Sequence, residues 1–288
     1  MGIASGIPLY MVLSTLFIWL TRENIDIATV GLFALTQIPW TLKFLWAPIV
    51  DTYKIPFLTN YLGQRKSWLL ITQFFLIISM IFLGFSNPSE NLFLTAIFAL
   101  LTAFFSANQD IIIDAYRIEI LEDEKQGAGA AATQFGYRVG GILAGAGSLY
   151  LKHLYEWSTV FFIVALIIGI LMVITITVKV NSDPINRNSN NLLAPFKEFI
   201  SRNPLNKIMI ILFFIFFFKF GDVVAGIMAN PFYVKIGFSN LEIANASKIF
   251  GVIMTLAGVF IGGFLVKKIG LINSLIISAF FQIVSNLL

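Results

Sequence analysis

Long apolar runs alternate with short polar connections along almost the whole chain. A helix that crosses a hydrocarbon core about 30 Å thick needs roughly 20 residues, most of them apolar. Nine runs of about this length cover residues 2–20, 29–50, 67–85, 92–113, 128–150, 158–180, 206–229, 242–266 and 271–288. The pattern predicts an all-α polytopic membrane protein with about nine transmembrane helices.

Composition supports this prediction and narrows the chemistry. Hydrophobic residues make up 58% of the chain and charged residues 12%, which is far from the usual mix of a soluble domain. With no cysteine and one histidine, the chain offers no thiolate chemistry and no histidine cluster for a metal. We therefore expect no cofactor, no metal site and no enzymatic activity. The net charge of +4 does not indicate nucleic-acid binding, because most basic residues lie in the connections between the apolar runs and do not form a patch.

The basic residues also predict an orientation in the membrane. The connections after the even-numbered runs and their immediate flanks hold twelve lysines and arginines, whereas those after the odd-numbered runs hold three. Basic residues concentrate in cytoplasmic loops. We expect the even connections and the N-terminus to be cytoplasmic.

The longest connection divides the chain. Residues 181–205 are rich in Asn and Ser and contain three prolines, as is typical of a linker. We predict a six-helix half at 1–180, a cytoplasmic linker at 181–205 and an incomplete second half of three helices at 206–288. Each half has a short basic, glycine-containing turn, at 63–66 and 267–270. Such duplication is typical of secondary transporters, although chance similarity of two basic turns remains an alternative.

A charged cluster closes the fourth apolar run. Asp110, Asp114 and Arg117 fall within roughly 60° of one another on a helix, so they share one face. A charged group facing lipid costs roughly 2.5–3.5 kcal/mol on insertion scales. This face is therefore predicted to point into protein or a wet cavity.

Other ionisable residues inside the apolar runs are few. Lys43 and Asp110 should lie roughly 5–10 Å from the cytoplasmic helix ends, and Arg138 roughly 15 Å, so the two cations are candidate partners for the aspartates. An aspartate that accepts a proton and cations that hold substrate carboxylates would suit a transport site. A buried charge network that only fixes helix packing is the alternative. The remaining members of this group are Lys219, Asp222 and Lys248.

Lys219 and Asp222 lie three residues apart, so they are either part of the pathway or a self-neutralised pair. Five glycines in the fifth run, at 136, 140, 141, 145 and 147, allow helix backbones to approach closely. This spacing suits either ordinary tight packing or a surface that slides during transport.

The connection after the second run resembles a loop of the major facilitator superfamily. Its Asp51 and the run Gly63-Gln-Arg-Lys66 are similar to a motif that holds helix ends together through an aspartate and arginines. Ala47 and Thr52 depart from that motif, and inserted residues separate Thr52 from Gly63. The resemblance implies a conformational latch, for which the candidate residues are Asp51, Gly63, Arg65, Lys66 and Arg117.

Several further runs resemble the AmpG-type muropeptide permeases of this superfamily. They are residues 2–9, 30–33, 42–48, 109–117, 127–130 and 136–140. The resemblance implies import of anhydro-muropeptides across the bacterial inner membrane for peptidoglycan recycling, driven by symported protons. Such permeases have at least twelve membrane helices, so the chain resembles a truncated or split copy.

Two alternatives stay open. A related carrier would transport another anionic metabolite, such as acetyl-CoA. A non-transporting product would be a fragment of a degraded or split gene, or would need a second polypeptide to supply the remaining helices.

Overall fold

Helices account for nearly all of the described chain. The computed structural model describes residues 1–122, 125–177, 201–202 and 204–287, and these ranges contain no β-strand. The helices before the 178–200 gap are α1 Gly2–Arg22, α2 Ile27–Leu32, α3 Ile38–Leu42, α4 Ala47–Thr52, α5 Leu58–Leu62, α6 Gln64–Phe85, α7 Leu92–Ile120, α8 Gln126–Ile142, α9 Ser148–Leu154 and α10 Trp157–Thr177. Those after it are α11 Leu205–Ile236, α12 Asn240–Ile243, α13 Gly251–Ile269 and α14 Leu271–Leu287.

Four of these helices, α1, α6, α7 and α10, are long and apolar enough to cross a membrane, counted over the described residues. The predicted number of nine is therefore not confirmed, although the all-α class is. The run at 29–50 shows one physical reason, because 3-10 turns at Phe33–Gln37 and Lys43–Leu45 divide it into α2, α3 and α4. Pro39 and Pro48 stand in the first turns of α3 and α4, where a missing N–H is tolerated.

Helix α1 lies in the centre of the segment before the 178–200 gap. Of its apolar window 72% is buried, against 28% for α10. Side chains such as Met11, Leu16 and Leu20 are fully enclosed in the largest hydrophobic cluster. At the end of α1, the Trp19 ring stacks on Trp157 with ring centroids 5.7 Å apart. Any residue on α1 is therefore held by packing from several sides.

Bare backbone from α1 and α8 forms a close seam. A Cβ added to Gly6 would lie 2.2 Å from the carbonyl oxygen of Tyr137, and one added to Gly140 would lie 2.5 Å from that of Ile3. Neither distance is tolerable, so only glycine allows this approach. The predicted close approach at Gly136 and Gly140 is confirmed; Gly141 instead packs against the ring of Tyr10.

The segments on either side of the 178–200 gap contact each other near one end of α1. Helix α11 packs on the last turns of α1 and on α2, and α12 packs on α9. The π-helical turn Ala244–Phe250 packs on another at Leu143–Gly147. Most of the predicted linker at 181–205 lies outside the described residues, so the division into halves stays a prediction.

Candidate transport site

Asp110 is held against the first turns of α1. The Ser5 hydroxyl donates a hydrogen bond to Asp110 Oδ1. One residue earlier, the buried Gln109 side chain donates from Nε2 to the carbonyl oxygen of Ala4 at 2.7 Å. These bonds fix the register between α7 and α1. The carboxylate predicted to face protein therefore does so, and Ser5 and Gln109 are functional candidates that sequence reasoning missed.

The other predicted charges are distributed unevenly around Asp110. Lys43, which is half-buried, and Asp114 both lie close enough to interact with Asp110 electrostatically. The Asp114 side chain is 54% exposed and meets Arg117 of its own helix at 3.8 Å. The predicted common face thus separates into a carboxylate that faces α1 and an exposed carboxylate, Asp114, paired with the mostly buried Arg117.

Arg138 reaches the same region through two tyrosines. Its Nη1 donates to the Tyr10 hydroxyl at 3.2 Å. The Tyr10 and Tyr137 rings meet edge to face with centroids 5.9 Å apart, and Tyr137 interacts electrostatically with both Asp110 and Arg138. These groups form a polar row that connects the carboxylate on α7 to the guanidinium on α8. Sequence reasoning missed Tyr10, which lies in an apolar run without a motif of its own.

The candidate latch residues meet at one guanidinium. Arg65, 9% exposed, donates from Nη1 to Asp51 Oδ1 at 2.6 Å and from Nε and Nη2 to both Glu119 oxygens at 2.5–3.1 Å. Gly63, which begins α6 with φ of +79°, provides the left-handed turn that directs Arg65 inward. Glu119 was missed, since it follows Arg117 by only two residues and resembles a solvated helix end.

The remaining predicted residues are Lys66 and Arg117, which neighbour this ion-pair cluster along the chain, and Lys219 and Asp222. Lys66 lines, with Arg65, a cavity of about 260 Å³. Arg117 pairs with Asp114 and leaves its buried Nε without a hydrogen-bond partner among the described residues. Lys219 and Asp222 fall on α11, but their side chains are outside the described part of the structure.

The opposite end of α1 is closed by contacts across the 178–200 gap. Arg22 donates from Nη2 to the carbonyl oxygen of Phe238 at 2.5 Å and from Nε to Asn240 Oδ1 at 3.2 Å. The Tyr150 hydroxyl donates to Asn245. Seventeen residues separate Ser5 from Arg22, roughly 25 Å along a helix. The contacts of Arg22 therefore lie far from Asp110.

Comparison with known proteins agrees with this architecture. The family model of the Major Facilitator Superfamily matches residues 1–288. The Putative transporter AmpG 4 of Rickettsia conorii is 36% identical over 292 residues, which cover 98% of this chain and 70% of the relative. The Anhydromuropeptide permease of Escherichia coli K12 is 34% identical over 291 residues, 99% of this chain and 58% of its own length. The Putative transporter AmpG 1 of Rickettsia bellii is 32% identical over 296 residues, 100% of this chain and 72% of the relative. The chain belongs to the Major Facilitator Superfamily, and within it to the permeases of the AmpG type.

Proposed function

We propose that this chain carries anhydro-muropeptides across the bacterial inner membrane into the cytoplasm, as a secondary transporter driven by protons. The name and similarity of the Escherichia coli relative support the substrate class. The chain spans 58–72% of the relatives compared above. The single observation that carries the mechanism is the position of Asp110, which accepts the Ser5 hydrogen bond and lies within electrostatic range of Lys43.

Asp110 is the proton acceptor in this proposal. While it is ionised, it accepts the Ser5 hydrogen bond and attracts Lys43. A proton on the carboxyl removes the charge that attracts the ammonium. Lys43 is then free to bind an anionic group of the substrate. That bond is favourable because a hydrogen bond between charged groups is about twice as strong as a neutral one. Proton binding and substrate binding thus support each other.

Arg138, Tyr10 and Tyr137 complete the substrate site. The guanidinium donates to a neutral hydroxyl, so it keeps further N–H groups for a carboxylate, which it can hold in a bidentate manner. The adjoining tyrosine rings offer apolar faces and hydroxyls to a sugar. A peptide-bearing sugar presents both kinds of group.

The Asp51–Arg65–Glu119 cluster is the proposed latch. It joins α4, α6 and α7 at a predicted cytoplasmic end, where the N-terminus of α1 also lies. In the same proposal the halves are 1–180 and 206–288, which rock about the contacts near Arg22.

Uptake into vesicles with an imposed pH gradient tests this function. Wild-type protein should accumulate labelled anhydro-muropeptide when the outside is acidic, and Asp110→Asn should lose gradient-driven accumulation by a factor of ten or more. Glu122→Gln, an exposed carboxylate paired with Lys125, is the matched control and should transport normally.

Equal uptake by Asp110→Asn would refute the proton-acceptor role. Competition by acetyl-CoA, with no competition by unlabelled muropeptide, would refute the substrate class. Wild-type vesicles that take up neither compound would refute transport by this chain alone.

A further inference from the structure

A buried lysine lies at the contact between the two segments of the chain. Lys248 is 8% exposed, and its Nζ donates to Asn230 Oδ1 at 2.5 Å. The Asn230 amide in turn donates to the Ser14 hydroxyl of α1 at 3.4 Å. The row of contacts consists of one cation and two neutral groups.

Among the carboxylates whose side chains the structure describes, none forms an ion pair with Lys248; Asp222 is outside that set. A buried ammonium without an anion is costly, because an amide oxygen replaces only part of its hydration. Buried charges that persist inside membrane helices commonly mark substrate or ion pathways. Lys248 therefore provides a positive charge that an arriving anion can neutralise.

The surrounding backbone is unusual in the same place. Lys248 lies on the π-helical turn Ala244–Phe250, which contacts the π-helical turn Leu143–Gly147. A third, Met11–Thr15, contacts the second, and the Thr15 hydroxyl donates to a carbonyl oxygen there at 3.0 Å. Such turns are rare and are frequent at functional sites. One of them carries this lysine, the second packs against it, and the third packs against the second.

Lys248 also lies within reach of the substrate site proposed above. A Cβ added to Gly145 would lie 3.5 Å from Lys248 Cγ and Cδ, so the lysine stem rests against that residue. Arg138 precedes Gly145 by seven residues on the same continuous helical stretch, roughly 10 Å along its axis. The Lys248 stem and Arg138 are therefore close enough along this helix for one extended ligand to span them.

We propose that Lys248 determines specificity by binding a carboxylate of the peptide part of the substrate, in place of Asn230, while Arg138 binds another anionic group. This inference rests on the proposed function. It assigns Lys248 to the recognition of a ligand with at least two separated negative charges. Between transport cycles, the Asn230 side chain accepts the hydrogen bond of the Lys248 ammonium.

Binding to the full chain in nanodiscs tests the assignment with two probes. One is an anhydro-muropeptide with free peptide carboxylates, and the other is the same compound with those carboxylates converted to primary amides. Wild-type protein should bind the acid at least tenfold more tightly than the amide. Lys248→Gln should reduce this preference by tenfold or more and leave the affinity for the amide unchanged, whereas Lys235→Gln, an exposed lysine of α11, should keep the wild-type preference.

Each other outcome overturns the proposal. If the wild-type protein binds the acid and the amide with equal affinity, the proposal is wrong. This comparison needs no variant, so it remains decisive even if Lys248→Gln fails to fold. A variant that loses affinity for both probes equally would show a structural role. If wild type binds neither probe, the proposed function fails together with this inference; if it prefers the acid and Lys248→Gln keeps that preference, only this inference fails.

Discussion

The α1–α8 seam is formed by bare backbone, whereas the contact between the chain's two segments combines apolar side chains such as Val234 and Ile243 with polar ones. At the seam, glycine backbones touch with no room for a methyl group. Between the segments, the contacts include polar side chains such as Arg22, Tyr150 and Lys248. A packed seam cannot open without leaving a void, whereas polar groups can exchange partners with water at small net cost. We therefore expect residues 1–177 to move as one unit and the contact between the two segments to separate more easily.

The largest expected effect is at the seam. Gly6→Leu should prevent assembly of α1 with α8, because its Cβ would lie 2.2 Å from the Tyr137 carbonyl oxygen. Fluorescence-detected size-exclusion chromatography should show loss of the monodisperse peak. Gly226→Leu is the matched control, since no atom lies within 4 Å of its Cβ position. A monodisperse Gly6→Leu protein would contradict the rigid seam.

The next effect concerns the ion-pair cluster inside the first half. Arg65→Ala leaves Glu119, 11% exposed, without its cation, and removing one partner of a buried pair costs about 3–5 kcal/mol. We expect a clear fall in the thermal unfolding midpoint in detergent. Lys125→Ala, which breaks an exposed pair with Glu122, should change it little, because such pairs contribute about 0.2–1 kcal/mol. Equal midpoints for the two variants would contradict this ranking.

Weakening the contact between the segments should increase the population of molecules in which the segments are apart. It should not unfold the protein. Arg22→Ala removes hydrogen bonds to Phe238 and Asn240, each worth about 0.5–1.5 kcal/mol net. Because the chain has no native cysteine, spin labels at Leu154→Cys and Ile236→Cys report the separation unambiguously. A longer-distance population should increase.

Labels at Leu154→Cys and Phe93→Cys, both in the first half, provide the control for the Arg22→Ala experiment and should not move. Lys235→Ala, an exposed cation on α11, should leave both distances as in wild type. A shift of the two label pairs together would show that the first half is not a rigid unit.

The smallest effect is at an exposed ion pair within the first half. The hydrogen bond from Lys152 lowers the pKa of Glu156, so the folded state gains stability above the carboxyl's ordinary pKa and loses it as pH falls through the lowered value. The unfolding midpoint of wild type should exceed that of Glu156→Gln slightly at neutral pH, and the difference should vanish in acid. If the difference in unfolding midpoint grew in acid, it would contradict the lowered pKa of Glu156.

The helical membrane class could be predicted from the sequence because long apolar runs are rarely found in other structural classes. Asp110 was found because a charge in such a run is costly. Ser5, Gln109 and Tyr10 were not found, because uncharged polar residues occur in apolar helices without a local sequence signal for function. Their roles depend on which helix faces them, and the contacts of α1 with α7 and α8 that decide this join residues more than 100 positions apart.

The number of spans and the latch partners show the same limit. The 3-10 turns that divide the run at 29–50 leave its hydropathy unchanged, so hydropathy cannot detect them. Glu119 looked like a solvated helix end, and only the inward direction of Arg65 after Gly63 gives it a partner.

Proton movement accompanying substrate entry tests the central claim most directly. In vesicles without an imposed gradient, adding anhydro-muropeptide to weakly buffered wild-type protein should raise the outside pH as substrate enters, because Asp110 carries a proton inward. Asp110→Asn should bind the substrate without this alkalinisation. Substrate entry in wild type with no pH change, or the same alkalinisation in Asp110→Asn, would contradict proton-coupled transport through Asp110.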